Sequence, residues 1–203
     1  IMLSMVGPAL LIPLYVQNAL GLSALLSGLV IMPGAIINGI MSVFTGKFYD
    51  KYGPRPLIFT GFILLISCTF LLCFLKVDTS YTYLIVIYAI RMFAVSLLMM
   101  PINTTGINAL KTEDISHGTA IMNFGRVMAG SLGTALMVTF MSIGAQWVVS
   151  SSEHASKEMI QRQSVAVGVD VSFALVTVFV IIAFVLALFI KEPNHLTHNS
   201  RKV

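Results

Sequence analysis

TYLIVIYAIRMFAVSLLMMPINTTGINAL, residues 82–110, is the stretch that decides the fold. About 20 mostly apolar residues carry an α-helix across the hydrocarbon of a bilayer, and this run exceeds that, so its helix is expected to tilt or protrude. Five further stretches qualify as spans on the same ground, at about 1–19, 23–45, 56–75, 117–148 and 169–190. The composition agrees: 57% of the 203 residues are hydrophobic and 10% charged, where a soluble domain carries about 25% charged residues. A mean hydropathy of +0.93 leaves more apolar surface than a water-soluble fold of this size can hide. The reading is an all-α membrane protein, a six-transmembrane-helix bundle over 1–191 with a polar cytoplasmic tail at 192–203.

The connections are expected at 20–22, 46–55, 76–81, 111–116 and 149–168, the last being the longest, polar and Ser-rich. The net charge of +4 is not gathered into one patch; most basic residues flank apolar runs. They read as topology signals and not as a nucleic-acid surface. Lys47, Lys51, Arg55, Lys111, Lys191, Arg201 and Lys202 fall on one side, and Lys76, Lys157 and Arg162 on the other. The richer side is expected to be cytoplasmic, with both chain ends inside. Cys68 and Cys73 lie five apart in an apolar run and read as small apolar residues, with neither disulfide nor metal site implied. The sequence opens at Ile1 already apolar, without a signal-peptide pattern; a fragment whose beginning lies upstream is the expectation.

Polar residues are shared unevenly. The third and sixth spans hold only small groups such as Ser67, Thr69 and Thr177, which suits lipid-facing positions. The second carries Asn38 and Ser42. The fourth carries Arg91, Ser96, Asn103, Thr104, Thr105 and Asn108, and the fifth Asn123, Arg126, Ser131, Thr134 and Thr139. Polar inner helices inside apolar outer ones are what a solute pathway requires. Arg91 and Arg126 each sit about 14 Å into a helix at 1.5 Å per residue. A charge there costs about 2.5–3.5 kcal/mol on insertion scales. Either the arginines border a wet passage, or they bond backbone carbonyls and snorkel to the interface. At 100° per residue, Asn123, Arg126, Thr134 and Met137 share one sector of the fifth helix, with Gly125, Ala129 and Gly133 a quarter turn away. The first face is expected to line a cavity and the second to pack a neighbouring helix, although glycines that only pack and polar groups that only join helices fit the same pattern. Met92, Met99, Met100, Met128 and Met137 are candidates for an adaptable lining, or for ordinary core.

GKFYDKYGPRP, residues 46–56, joins the second and third spans. Gly53 permits a tight reversal, Pro54 and Pro56 suit a helix start, and Asp50 can pair with a cation or a helix dipole. Such contacts hold helix ends in one conformation and release them in another; a plain basic turn is the alternative. Gly46, Asp50, Lys51, Gly53 and Arg55 here resemble the signature loop of the major facilitator superfamily. Arg91 with the run from Met99 to Leu110, and His117 to Ala120 with Asn123 and the run from Ala129 to Leu136, resemble its drug:proton antiporter branch with fourteen spanning helices. The resemblance implies the C-terminal half of a two-bundle fold working by alternating access. It also implies that the first, second, fourth and fifth helices line the cavity while the third and sixth lie outside. The function it implies is part of a proton-coupled multidrug or antibiotic efflux permease in a bacterial cell membrane. The implied partners are the missing N-terminal half, the lipid bilayer, protons and a small lipophilic or cationic substrate.

A proton-driven antiporter needs a group that changes protonation, usually a buried carboxylate or histidine. None is expected mid-membrane here: Asp170 falls at the end of the sixth span, and His117, His154, His195 and His198 at ends or in polar segments. The coupling group is therefore expected in the missing half, and this chain alone is not expected to pump. No H-E-x-x-H cluster, buried Ser–His pair or intrahelical haem ligand supports an enzyme or an electron-transfer subunit, and no cofactor is implied. An exporter of narrow substrate and a non-transporting scaffold subunit stand as alternatives.

Overall fold

In a bilayer every backbone N–H and C=O must be satisfied within the segment, which leaves the helix as the available form for these apolar runs. The computed structural model describes residues 2–108, 110–151 and 157–189. Among them are six helices: α1 Met2–Asn18, α2 Ala24–Tyr52, α3 Pro54–Leu71, α4 Tyr81–Asn108, α5 Ile115–Ser151 and α6 Lys157–Leu188. Five are long and apolar enough to cross a membrane, and α1 is a shorter apolar helix. Short 3₁₀ turns at Leu72–Phe74 and Thr112–Asp114 close α3 and open α5. The tail at 192–203 lies outside the described residues.

Hydroxyl groups inside the helices largely bond their own backbone. Thr45, Ser67, Thr69, Ser131, Thr139 and Thr177 each donate to the carbonyl four residues earlier. That gives each hydroxyl proton an acceptor within its own helix.

Two boundaries differ from the sequence reading. The 46–55 segment is not an open loop: α2 continues through it to Tyr52, and Gly53 alone separates α2 from α3. Thr45 and Tyr49, four apart, keep packing into the bundle, so helical periodicity outlasts apolar composition. Gly53, at φ 77°, bonds its N–H to the Tyr49 carbonyl at 2.9 Å, and Pro54 at the first position of α3 supplies no donor to lose. Likewise the 149–168 segment is not a long loop, since residues 157–168 belong to α6 with Ser164 and Ala166 buried; residues 152–156 lie outside the described set. In both places polarity marks where the helix meets water, not where it ends.

The helices fall into two groups of three. α4 packs against α2 and α3, while α1, α5 and α6 pack on one another. The groups join chiefly through α3 with α6 and α1 with α2. Phe184 of α6 meets Phe59 and Phe62 of α3 at ring separations of 5.3 and 5.5 Å. Backbones come close between α5 and α6, where a Cβ on Gly144 would stand 2.9 Å from the Gly168 Cα. α4 and α5 touch at few points, leaving a gap at the end of the molecule that bears Gly53. At the opposite end, which bears Gly21, the groups are tied by side chains. Tyr15 donates to the Lys76 carbonyl (2.6 Å), Asp170 accepts from the Leu75 N–H (3.0 Å), and Gln17 donates to Ser27 (3.0 Å). Asp170 thus lies well inside α6, not at its end.

Candidate substrate cavity

The gap between α4 and α5 widens into a cavity of about 580 Å³. Its walls are Met99, Ile102 and Asn103 of α4, Met122, Arg126 and Ala129 of α5, Phe62 of α3, Met2 of α1, and Ala183, Leu186 and Ala187 of α6. Arg126 is the ionisable residue of this lining. It is half-buried, and its Nη2 donates to the Asn103 Oδ1 at 2.7 Å across the gap. A charge-assisted bond of that length is among the stronger kinds; it fixes the guanidinium at the wall and leaves further N–H donors for a ligand. The site therefore offers a mostly apolar, methionine-rich space with one oriented cationic donor group, the composition of a small-molecule pocket.

Arg91 is placed differently. It has no exposed surface and is not part of the cavity wall. Its Nη2 reaches the Ser4 hydroxyl of α1 at 3.4 Å, while Nε and Nη1 have no hydrogen-bond partner. In this conformation it is enclosed by the neighbouring helices. Both intramembrane arginines nonetheless bridge the two helix groups, Arg91 from α4 to α1 and Arg126 from α5 to α4.

The other expected lining residues divide. Asn38 donates to the Met92 carbonyl at 3.1 Å and ties α2 to α4. Thr105 is half-buried, with its hydroxyl oxygen buried and unpartnered. Asn123 is exposed, and Thr134 is half-buried and bonded to the Gly130 carbonyl of its own helix. The small-residue series splits too: Gly133 packs on Leu3, Ala129 lines the cavity, and nothing lies near Gly125. Of the methionine candidates, Met99 lines the cavity, Met92 and Met137 are core, Met100 is half-buried, and Met128 is exposed. Met122, Phe62 and the Ser4 partner of Arg91 were not singled out by the sequence reading. No periodicity in one helix reveals them, because they are defined by which helices meet. In the α2–α3 elbow, Asp50, Lys51 and Arg55 are exposed, and Gly46 is half-buried with Met100 against it, 3.2 Å from where a Cβ would stand.

Comparison with known proteins adds an independent line. The family model described as Major Facilitator Superfamily matches residues 1–134. The chain is 37% identical over 185 residues to the lincomycin resistance protein LmrB of Listeria monocytogenes, covering 91% of this chain and 39% of that protein. It is 47% identical over 129 residues to the MFS-type transporter YhcA of Bacillus subtilis, covering 64% of this chain and 24% of that protein. The multidrug export protein EmrB of Escherichia coli is 29% identical over 134 residues, covering 66% of this chain and 26% of that protein. The chain thus spans about two fifths, 39%, of the length of the lincomycin resistance relative. An all-helical bundle of apolar spans, matched by the family model over residues 1–134, makes this multi-pass membrane protein a member of the major facilitator superfamily.

Proposed function

We propose that this chain is the C-terminal six-helix half of a proton-coupled drug efflux permease, and that the space between α4 and α5 is its contribution to the substrate path. The observation that carries the reading is the 580 Å³ cavity with the Arg126–Asn103 pair on its wall. The names of relatives, lincomycin resistance and multidrug export, support an antibiotic or multidrug substrate. The wall chemistry favours a lipophilic molecule that presents carbonyl, hydroxyl or anionic acceptors to Arg126. A cationic substrate would need its counter-charge from the remaining half. The exposed apolar face of α2, with Leu25, Leu29, Met32, Ile36, Ile40 and Val43, and that of α5, with Ile121, Phe124 and Leu132, are surfaces for that half and for lipid. Gly46, Asp50, Lys51, Gly53 and Arg55 act in this reading as the switch elbow between α2 and α3. The excess of basic residues at the Gly53 end supports a cytoplasmic position for that end. The protein performs transport, not covalent chemistry.

The test is drug susceptibility and efflux in an exporter-deficient bacterium expressing the full-length protein. Arg126→Ala and Asn103→Ala are each expected to lower efflux about tenfold, the scale of one hydrogen bond to a charged group, at unchanged abundance in the membrane. Efflux that persists in both variants removes the cavity from the substrate route. A drug panel separates a multidrug exporter from one of narrow substrate.

A further inference from the structure

We infer that the Gly53 end of α2 and α3 carries a binding site for one anionic glycerophospholipid. A groove of about 240 Å³ opens there between Phe48 and Tyr52 of α2, Pro56, Leu57 and Thr60 of α3, and Leu97 of α4. Thr60 lies about 9 Å along α3 from Pro54 at 1.5 Å per residue, so the groove runs from the helix ends toward the hydrocarbon. Its lining is apolar and aromatic, the chemistry of an acyl chain.

The headgroup side is set by the register of α2. At 100° per residue, Lys47, Lys51, Phe44, Phe48 and Tyr52 fall within one arc of about 140°, whereas Asp50 lies roughly 60° outside it. Thr45 and Tyr49 turn inward and are buried; the five residues of the arc are exposed. The lysines stay with this face: the Lys51 Nζ stands 5.2 Å from the Tyr52 ring centre and the Lys47 Nζ 5.8 Å from that of Phe44. Exposed aromatics mark the level of a membrane interface, and paired ammonium groups there recognise a phosphodiester. Two cations in the arc, with the carboxylate of Asp50 set off it, favour an anionic lipid over a zwitterionic one. The site is separate from the α4–α5 cavity and does not depend on what that cavity transports.

The test uses the full-length protein, delipidated in mild detergent and titrated with dioleoyl phosphatidylglycerol or dioleoyl phosphatidylcholine, with bound lipid counted by native mass spectrometry. Phosphatidylglycerol is expected to bind roughly thirtyfold more tightly, from the contribution of two lysines at an anionic headgroup. Lys47→Gln combined with Lys51→Gln abolishes that preference, and the corresponding pair of Arg substitutions keeps it. Thr60→Trp, which fills the groove, weakens retention of both lipids and serves as the readout if the glutamine pair does not fold. Equal binding of the two lipids by the unaltered protein overturns the inference, as does a preference that survives in the glutamine pair. So does a photo-crosslinker at position 60 that couples to protein, of the same or a second copy, in place of lipid.

Discussion

Position 91 holds a guanidinium with no exposed surface and with Nε and Nη1 unpartnered. Each buried donor left without an acceptor costs about 1–3 kcal/mol, and replacing a buried charge by an apolar side chain of similar size is often neutral or stabilising. Arg91→Met is therefore expected to melt no lower than the unaltered full-length protein. A melting temperature lower by several degrees would instead show that the guanidinium contributes net stability through Ser4. That two arginines lie within the spans was legible from composition and length. Which of them meets a cavity was not, since this depends on Ser4 and Asn103 arriving from other helices. Arg126 lies on the face of α5 that looks across the gap, and Arg91 on a face of α4 enclosed by neighbouring helices.

At the scale of the helix, two glycines set the geometry. Gly53 has φ 77° and ψ 177°, a region that side chains avoid at a cost of about 1–3 kcal/mol. With no other residue between α2 and α3, the chain has nowhere to relax. Gly53→Ala is expected to lower stability by about that amount in denaturation of the full-length protein, although nothing lies within 4 Å to clash with the added methyl. Gly168 is the opposite case: a Cβ there would run into the Met141 carbonyl oxygen on α5. Gly168→Val is expected to separate α5 from α6 and cost about 1–3 kcal/mol by overpacking, read as a lowered melting temperature. The existence of the helices followed from apolar length alone. Their ends at Tyr52 and Lys157 did not, because Lys47, Lys51 and the run Gln161 to Gln163 are good helix formers once outside lipid, so charge gave no sign of a break.

Across the whole molecule, the two helix groups are joined unevenly. Tyr15, Asp170 and Gln17 bind them at the Gly21 end, while the cavity parts α4 from α5 at the Gly53 end, with Arg126 and Asn103 reaching across. If the groups move against each other during transport, the moving edge is the α4–α5 side of the Gly53 end, since Phe184 of α6 stays packed on Phe59 and Phe62 of α3. A bifunctional thiol reagent joining Asn103→Cys to Arg126→Cys, on a background lacking Cys68 and Cys73, is accordingly expected to stop conformational exchange. The measurement is accessibility labelling of cavity positions on both faces of the membrane. The same reagent joining Tyr15→Cys to Lys76→Cys is expected to leave exchange largely intact, and arrest by that link alone would place the pivot elsewhere.

The elbow at Gly53 has a mechanical consequence. A hinge built of one residue has no slack, so a tug on the last turn of α2 arrives at the first turn of α3 undiminished. Lengthening that joint by even a short spacer would uncouple the two rods while leaving each of them whole.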